Sequence, residues 1–179
     1  MTLLVGSLTS TRNVGPGPST NYQQVYSSFV AGLSGTATTM SFKCWYVDAV
    51  ASYVMAIYDS AKNLLGYTSP VAPTVATKTA ALVSSVPIVA GNTYWLSLME
   101  TTTGKNVYAS TNGSADLMPG QNATTYAPPP STIDTTPTFN NLGVLSISAD
   151  GTVAGGVVDQ FQKSQTSGGM GEMHGGMRG

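Results

Sequence analysis

The sequence predicts an all-β fold, an antiparallel sandwich or barrel, and three observations carry that expectation. Apolar residues recur with period 2 in separate segments, the pattern of strands with one buried face. Turn chemistry separates those segments about every 8–12 residues. The Ala/Glu/Lys/Leu/Arg periodicity of long helices is absent from the chain. At 179 residues the chain fits one domain, on a prior of ~100–200 residues each. A chain of this size buries ~70% of its unfolded surface, so a core forms without disulfides.

Residues 1–39 combine turn chemistry with short extended pieces. Gly15, Pro16, Gly17 and Pro18 make a loop, since Pro fixes φ and Gly opens it. Residues 22–30 read as a strand carrying Tyr22, Tyr26 and Phe29, and residues 32–39 as a Gly/Thr turn. The first clear strand is 40–47, where Met40, Phe42, Cys44 and Tyr46 alternate with Ser41, Lys43, Trp45 and Val47. Residues 53–58 are apolar on both phases, which predicts a central strand. Residues 59–63 form a turn, with Asp59 bonding the backbone and Asn63 suited to a left-handed conformation. Residues 64–68 then return as the second arm of a hairpin.

Pro70 and Pro73 stop that arm or confine it to an edge, and residues 79–86 extend until Pro87. Residues 93–99 follow a turn at 89–92, with Tyr94, Leu96 and Leu98 on one phase and Trp95, Ser97 and Met99 on the other. Residues 106–110 read as a further strand, 111–141 as a long Asn/Gly/Pro/Thr loop region, and 143–148 as the last strand. Loops beyond ~12–15 residues are usually functional or linking. Asp150-Gly151 reads as a turn, and 168–179 as a low-complexity Gly/Met tail. The expected organisation is an N-terminal arm at 1–25, a core domain at 26–149 and a C-terminal arm at 150–179.

Charge narrows the functions. Charged residues are 8% of the chain and the net charge is -1, against a usual ~25% charged. With 41% hydrophobic residues the chain still has material for a core. Its 24 Thr and 20 Ser imply a surface of hydroxyls and amides. Seven scattered basic residues cannot neutralise the about 6–10 phosphates of a strong nucleic-acid site, and polybasic membrane attachment fails likewise. No apolar run is long enough for a membrane-spanning helix. A single Cys, Cys44, excludes an internal disulfide. The N-terminus lacks the basic region and the unbroken apolar stretch of a signal peptide.

Reactive groups are scarce. His174 is the only histidine and lies in the Gly/Met tail, away from any element that would orient a catalytic base. Cys44 shares a phase with Met40 and Phe42 and reads as a small buried hydrophobe. The eight acids form no close pair in sequence, although a glycosidase dyad assembled by the fold stays open. Asp59 with Asn63, or Asp116 with Asn112, offers oxygens to calcium, but no Asp-Xaa-Asp-Xaa-Asp-Gly run supplies six, and turn capping is the plainer reading. Met170, Met173, His174 and Met177 hold soft ligands suited to copper. The plainer reading of Met170, Met173 and Met177 is a flexible or assembly tail. The expectation is no enzyme, no metal and no cofactor.

The aromatic residues leave two readings open. Trp45, Tyr58, Trp95 and Tyr108 fall on the opposite phase from the Met40 and Tyr94 sets. Trp45, Trp95 and Tyr108 are candidate carbohydrate platforms, since the C–H face of a sugar is apolar. They equally suit a core or a subunit interface, both of which large aromatics dominate.

Residues 30–110 carry the strings Gly35-Thr36-Ala37-Thr38-Thr39-Met40-Ser41-Phe42, Met55-Ala56-Ile57-Tyr58-Asp59-Ser60, Asn63-Leu64-Leu65-Gly66 and Val89-Ala90-Gly91-Asn92-Thr93-Tyr94-Trp95-Leu96. In this order they resemble a β-sandwich module of phage virion decoration and appendage proteins and of bacterial surface proteins. The resemblance implies a jelly-roll-like antiparallel sandwich with extended N- and C-terminal arms. It also implies a structural virion protein, a capsid decoration or a tail or fibre appendage, acting by packing against copies of itself and other virion proteins. A carbohydrate- or receptor-binding module that meets a host-surface glycan is the second reading, and a subunit of a cellular surface layer or filament the third. Location in the virion, or at a cell surface, follows from the same likeness. Low charge suits assembly, because few ions lose their water when surfaces meet.

Overall fold

The computed structural model describes residues 1–9, 12–14, 22–47, 52–72, 76–100, 107–111, 117–123, 128–133, 139–142 and 144–155; for 12–14, 22–23, 45–47, 100, 107–111, 117–123 and 139–142 it gives the backbone alone. Twelve strands and no helix make up the described elements: β1 (Thr2–Ser7), β2 (Arg12–Val14), β3 (Tyr22–Val30), β4 (Gly35–Val47), β5 (Tyr53–Tyr58), β6 (Leu64–Tyr67), β7 (Thr77–Ile88), β8 (Thr93–Glu100), β9 (Val107–Thr111), β10 (Leu117–Ala123), β11 (Phe139–Leu142) and β12 (Ile147–Val153). None of the described residues forms a helix long and apolar enough to cross a membrane.

The strands form two antiparallel sheets, an arrangement compatible with a β-sandwich. The first runs β1-β12-β4-β9-β2, with β7 also paired to β4. The second runs β11-β10-β3-β8-β5-β6. β5 lies between β8 and β6, and all six of its residues are buried, as apolar character on both phases predicts. One core joins the sheets. Met40, Phe42, Cys44, Ile147 and Ala149 come from the first, and Val25, Tyr53, Met55, Ile57, Leu96 and Leu98 from the second. Phe42 and Tyr53 meet edge to face across the gap, with ring centroids 5.2 Å apart. Cys44 is buried in that core, on the phase that its alternation predicts.

Bulges account for the strand limits that alternation misplaces. β4 starts at Gly35, five residues before the expected start, because its pairing shifts between Ala37 and Thr39. Ala37 and Met40 both face the core, three residues apart, so 35–39 reads out of phase with 40–47. β12 likewise continues through Asp150-Gly151, which is strand and not a turn, paired to Thr39 and Ala37 with Thr38 of β4 as the extra residue. Gly151 is there for closeness, since a Cβ would collide with the backbone carbonyl of Thr36. β7 carries Pro87 within it, opposite Thr36. Its only strand partner is β4, and an edge strand accepts Pro where the missing N–H faces outward. The expected loop 111–141 contains β10 and β11. Their sequences, rich in Asn, Gly and Pro, carry little strand propensity, so pairing with β3 and with each other decides.

The stretch expected as an N-terminal arm supplies β1, β2 and the start of β3. β1 pairs with β12 and buries the consecutive residues Leu4 and Val5 in the core, because the register shifts at Leu4. Gly6 adopts φ 101°, and a Cβ there would strike the carbonyl of Ile147.

Candidate functional site

The outer face of the second sheet carries large residues in register. Across it, Ser28 stands opposite Trp95, Trp95 opposite Tyr58, and Tyr58 opposite Leu64. The next row holds Tyr26, Ser97, Ala56 and Tyr67. A strap formed by residues 128–133 lies over this face. Ser131 accepts a backbone hydrogen bond from Leu64 (2.8 Å), and Ile133 donates one to Lys62 (3.1 Å). Ile133 is buried with Tyr26, Ala56 and Tyr58, and Leu64, Tyr67 and Trp95 pack around them. The result is a second, smaller core outside the main one.

A polar network anchors the strap. Buried Gln24 donates to the Tyr58 hydroxyl (2.8 Å) and to Ser97 Oγ (3.0 Å), and the Tyr58 hydroxyl donates to the Pro130 carbonyl (3.1 Å). Burial pushes the Tyr58 phenol up to about 12, against the smaller downward pull of Gln24 and Ser97. The phenol thus stays protonated, as its donor role requires.

Trp95 sits at the margin of this cluster, half-buried. Tyr26 holds it edge to face, at 5.7 Å and 78°. Lys62 Nζ lies 5.3 Å from its ring centroid, a cation–π contact of about 0.5–1 kcal/mol at an exposed site. The turn before β6 delivers that lysine. Asp59 Oδ1 accepts from the Asn63 backbone N–H (2.8 Å) and Oδ2 from Asn63 Nδ2 (3.1 Å). These bonds hold the Asp59 carboxyl below its ordinary range. Asp59 therefore caps the turn, as the plainer reading of the pair has it. The left-handed residue is Lys62, at φ 72°, and not the expected Asn63. A Cβ residue in that conformation carries about 1–2 kcal/mol of strain.

The candidate platforms separate between the sheets. Trp95 lies on β8 of the second sheet, whereas Trp45 and Tyr108 lie on β4 and β9 of the first, where Tyr46 pairs Tyr108 next to a bulge at Trp45. The side chains of Trp45 and Tyr108 fall outside the described residues, as do Met170, Met173, His174 and Met177. Sequence reading missed Lys62, Tyr26 and Ile133. The signal for Ile133 was a lone large aliphatic following three prolines in a polar stretch. Lys62 and Tyr26 gave none, since strand register alone brings them to Trp95.

The outer face of the first sheet is built differently. Ser148 Oγ donates to Asp150 Oδ2 (2.8 Å), Ser41 Oγ to the same oxygen (3.3 Å), and Ser41 and Thr79 share a hydrogen bond (2.8 Å). Among the described residues, no group of three or more His, Cys, Asp or Glu is placed to hold a metal ion.

A third surface lies at one end of the sheets. Val153 and Ile88 both pair with Gly35, Val30 pairs with Thr93, and Thr2 pairs with Gly151. Hydrogen bonds from Ala31 to Asn92, Gly91 to Ala31, Ala154 to Ser34 and Gly32 to Leu4 tie these segments together. Met1, Leu3, Val30, Leu33, Val89 and Val153 are exposed here, six of the eight exposed large hydrophobics among the described residues. Val30 exposes 66% of its surface and Val89 52%. Segments 1–3, 30–34, 89–92 and 152–155 carry no charged side chain.

Comparison of the chain with protein-family models, with curated proteins and with solved structures returns no match.

Proposed function

We propose that this chain is a structural protein that acts by packing against copies of itself and other proteins of a virion, as a capsid decoration or a tail or fibre appendage. The jelly-roll-like form of its sheets belongs to the same reading, as does location in the virion. The apolar end carries the proposal. Exposed hydrophobic residues normally scatter singly, and a gathering of them at one place marks an interaction surface. Its lack of charged side chains favours a second copy as the occupant, because in a two-fold contact each patch meets its own image and a formal charge would meet its like. Of the C-terminal arm expected at 150–179, residues 152–155 lie at this end, with Ala154 hydrogen-bonded to Ser34. The low overall charge and the motif resemblance support the reading as well.

Light scattering on the purified full chain tests it. The expected result is an oligomer that Val30→Asp with Val89→Asp returns to monomer while circular dichroism stays unchanged. A chain that remains monomeric at high concentration and attaches to no particle would overturn the reading.

A further inference from the structure

We propose that Trp95 and Lys62 form a binding platform for an acidic saccharide. The inference is independent of self-association, since both residues lie on the second sheet's outer face and on the turn beside it. Two observations meet at this place. The first is a half-buried aromatic ring in edge-to-face contact with Tyr26. Such a ring offers the C–H face of a pyranose an apolar surface with little side-chain freedom left to lose. The second is the cation above it. Lys62 makes no ion pair among the described residues, and the nearest acid in sequence, Asp59, has engaged both its oxygens with Asn63.

The lysine is also in an unfavourable place for a lysine. At φ 72° the turn would be served with less strain by Gly or Asn. What Lys adds there is an ammonium group over Trp95. Backbone strain at a surface residue points to function when the side chain has something to do. Lys62 Nζ lies over the ring in the free chain, and a sugar that carries a carboxylate can take its place on the indole while drawing the ammonium to the carboxylate. Exposed Ser28, Asn63 and Thr132 rim the site and supply hydroxyl and amide partners. Ser28 stands opposite Trp95, and Thr132 bridges Asn63. An acidic peptide would use the cation but would leave the ring without a matching flat apolar face, so the saccharide is the better fit.

Isothermal titration calorimetry on the full chain compares an oligogalacturonate with a neutral galacto-oligosaccharide of equal length. The expected result is at least tenfold tighter binding of the acidic probe, weakening as salt rises. Lys62→Asn removes that preference while the fold is retained, since Asn suits the turn. Trp95→Ala abolishes binding of both probes, and Trp95→Phe recovers part of it. Equal affinity for the two probes, no binding of either, or undiminished binding by Lys62→Asn overturns the proposal. So does an acidic peptide that binds as tightly as the oligogalacturonate.

Discussion

Tyr53 and Tyr58 stand five residues apart on β5 and point to opposite sides of the second sheet. Tyr53 enters the main core against Phe42, and its buried hydroxyl has no hydrogen-bond partner among the described residues. Tyr58 enters the smaller core under the strap, and its hydroxyl joins Gln24 to Pro130. The same side chain is a misfit in one core and the fastening of the other. The main core is built from aliphatic and aromatic surface contributed by both sheets, and it tolerates one unsatisfied phenol. The outer core has few apolar residues and one strap, so its polar bonds matter in proportion. Burial alone does not decide the worth of a polar group; the partner it finds does.

Five measurements break or sharpen this contrast. Ile133→Ala removes the strap's one buried aliphatic and is expected to cost about 3–4 kcal/mol. The loss should appear as a lower urea midpoint, with faster amide exchange at Leu64 and Ile133. Alkaline pH comes next. The folded phenol of Tyr58 titrates at about 12, above an unfolded value of about 10. Its stabilisation is therefore complete below about pH 10 and is lost as pH rises through 12, a loss on the order of 3 kcal/mol. Tyr53, raised further still by burial and by Cys44, adds to the loss in the same direction. Urea titrations at pH 8 and pH 11 should show it, and equal stability at both would contradict the burial of the two phenols.

Tyr58→Phe removes the acceptor of one Gln24 hydrogen bond and the donor to the Pro130 carbonyl and is expected to cost about 2 kcal/mol in the same urea assay. Tyr53→Phe should do the reverse and raise stability by about 1 kcal/mol, because the hydroxyl it removes bonds nothing among the described residues. A destabilised Tyr53→Phe would show that the phenol has a partner after all. The smallest effect belongs to Lys62→Asn, where relief of the left-handed strain and loss of the cation–π contact oppose one another. A change of a few tenths of a kcal/mol in melting free energy is expected.

The contrast also shows what a linear pattern can carry. Period 2 separated Tyr94, Leu96 and Leu98 from Trp95, and the structure puts the first three in the main core and Trp95 on the other side of the sheet. Alternation is a local property, so it survives in the sequence. It failed where a bulge changed phase, between Ala37 and Thr39, because one extra residue flips every later side chain. The candidate site was half legible. Trp95 was flagged from its phase, but Lys62 and Tyr26 reach it through strand pairings that no spacing encodes. The strap was hidden for a different reason. Its backbone bonds reach residues 62–64, and its composition is that of an ordinary loop.

The pairing of β1 with β12 has a consequence for how the chain is made. Residues 2–7 find their partners at 147–151, so a ribosome working at about 5–20 residues per second exposes Leu4 and Val5 for roughly 7–30 s before β12 exists. Through that interval the opening strand is an adhesive edge in a crowded cytoplasm. β12 is the strand that covers β1, so a chain broken off before residue 147 is expected to aggregate and not to give a shorter soluble protein.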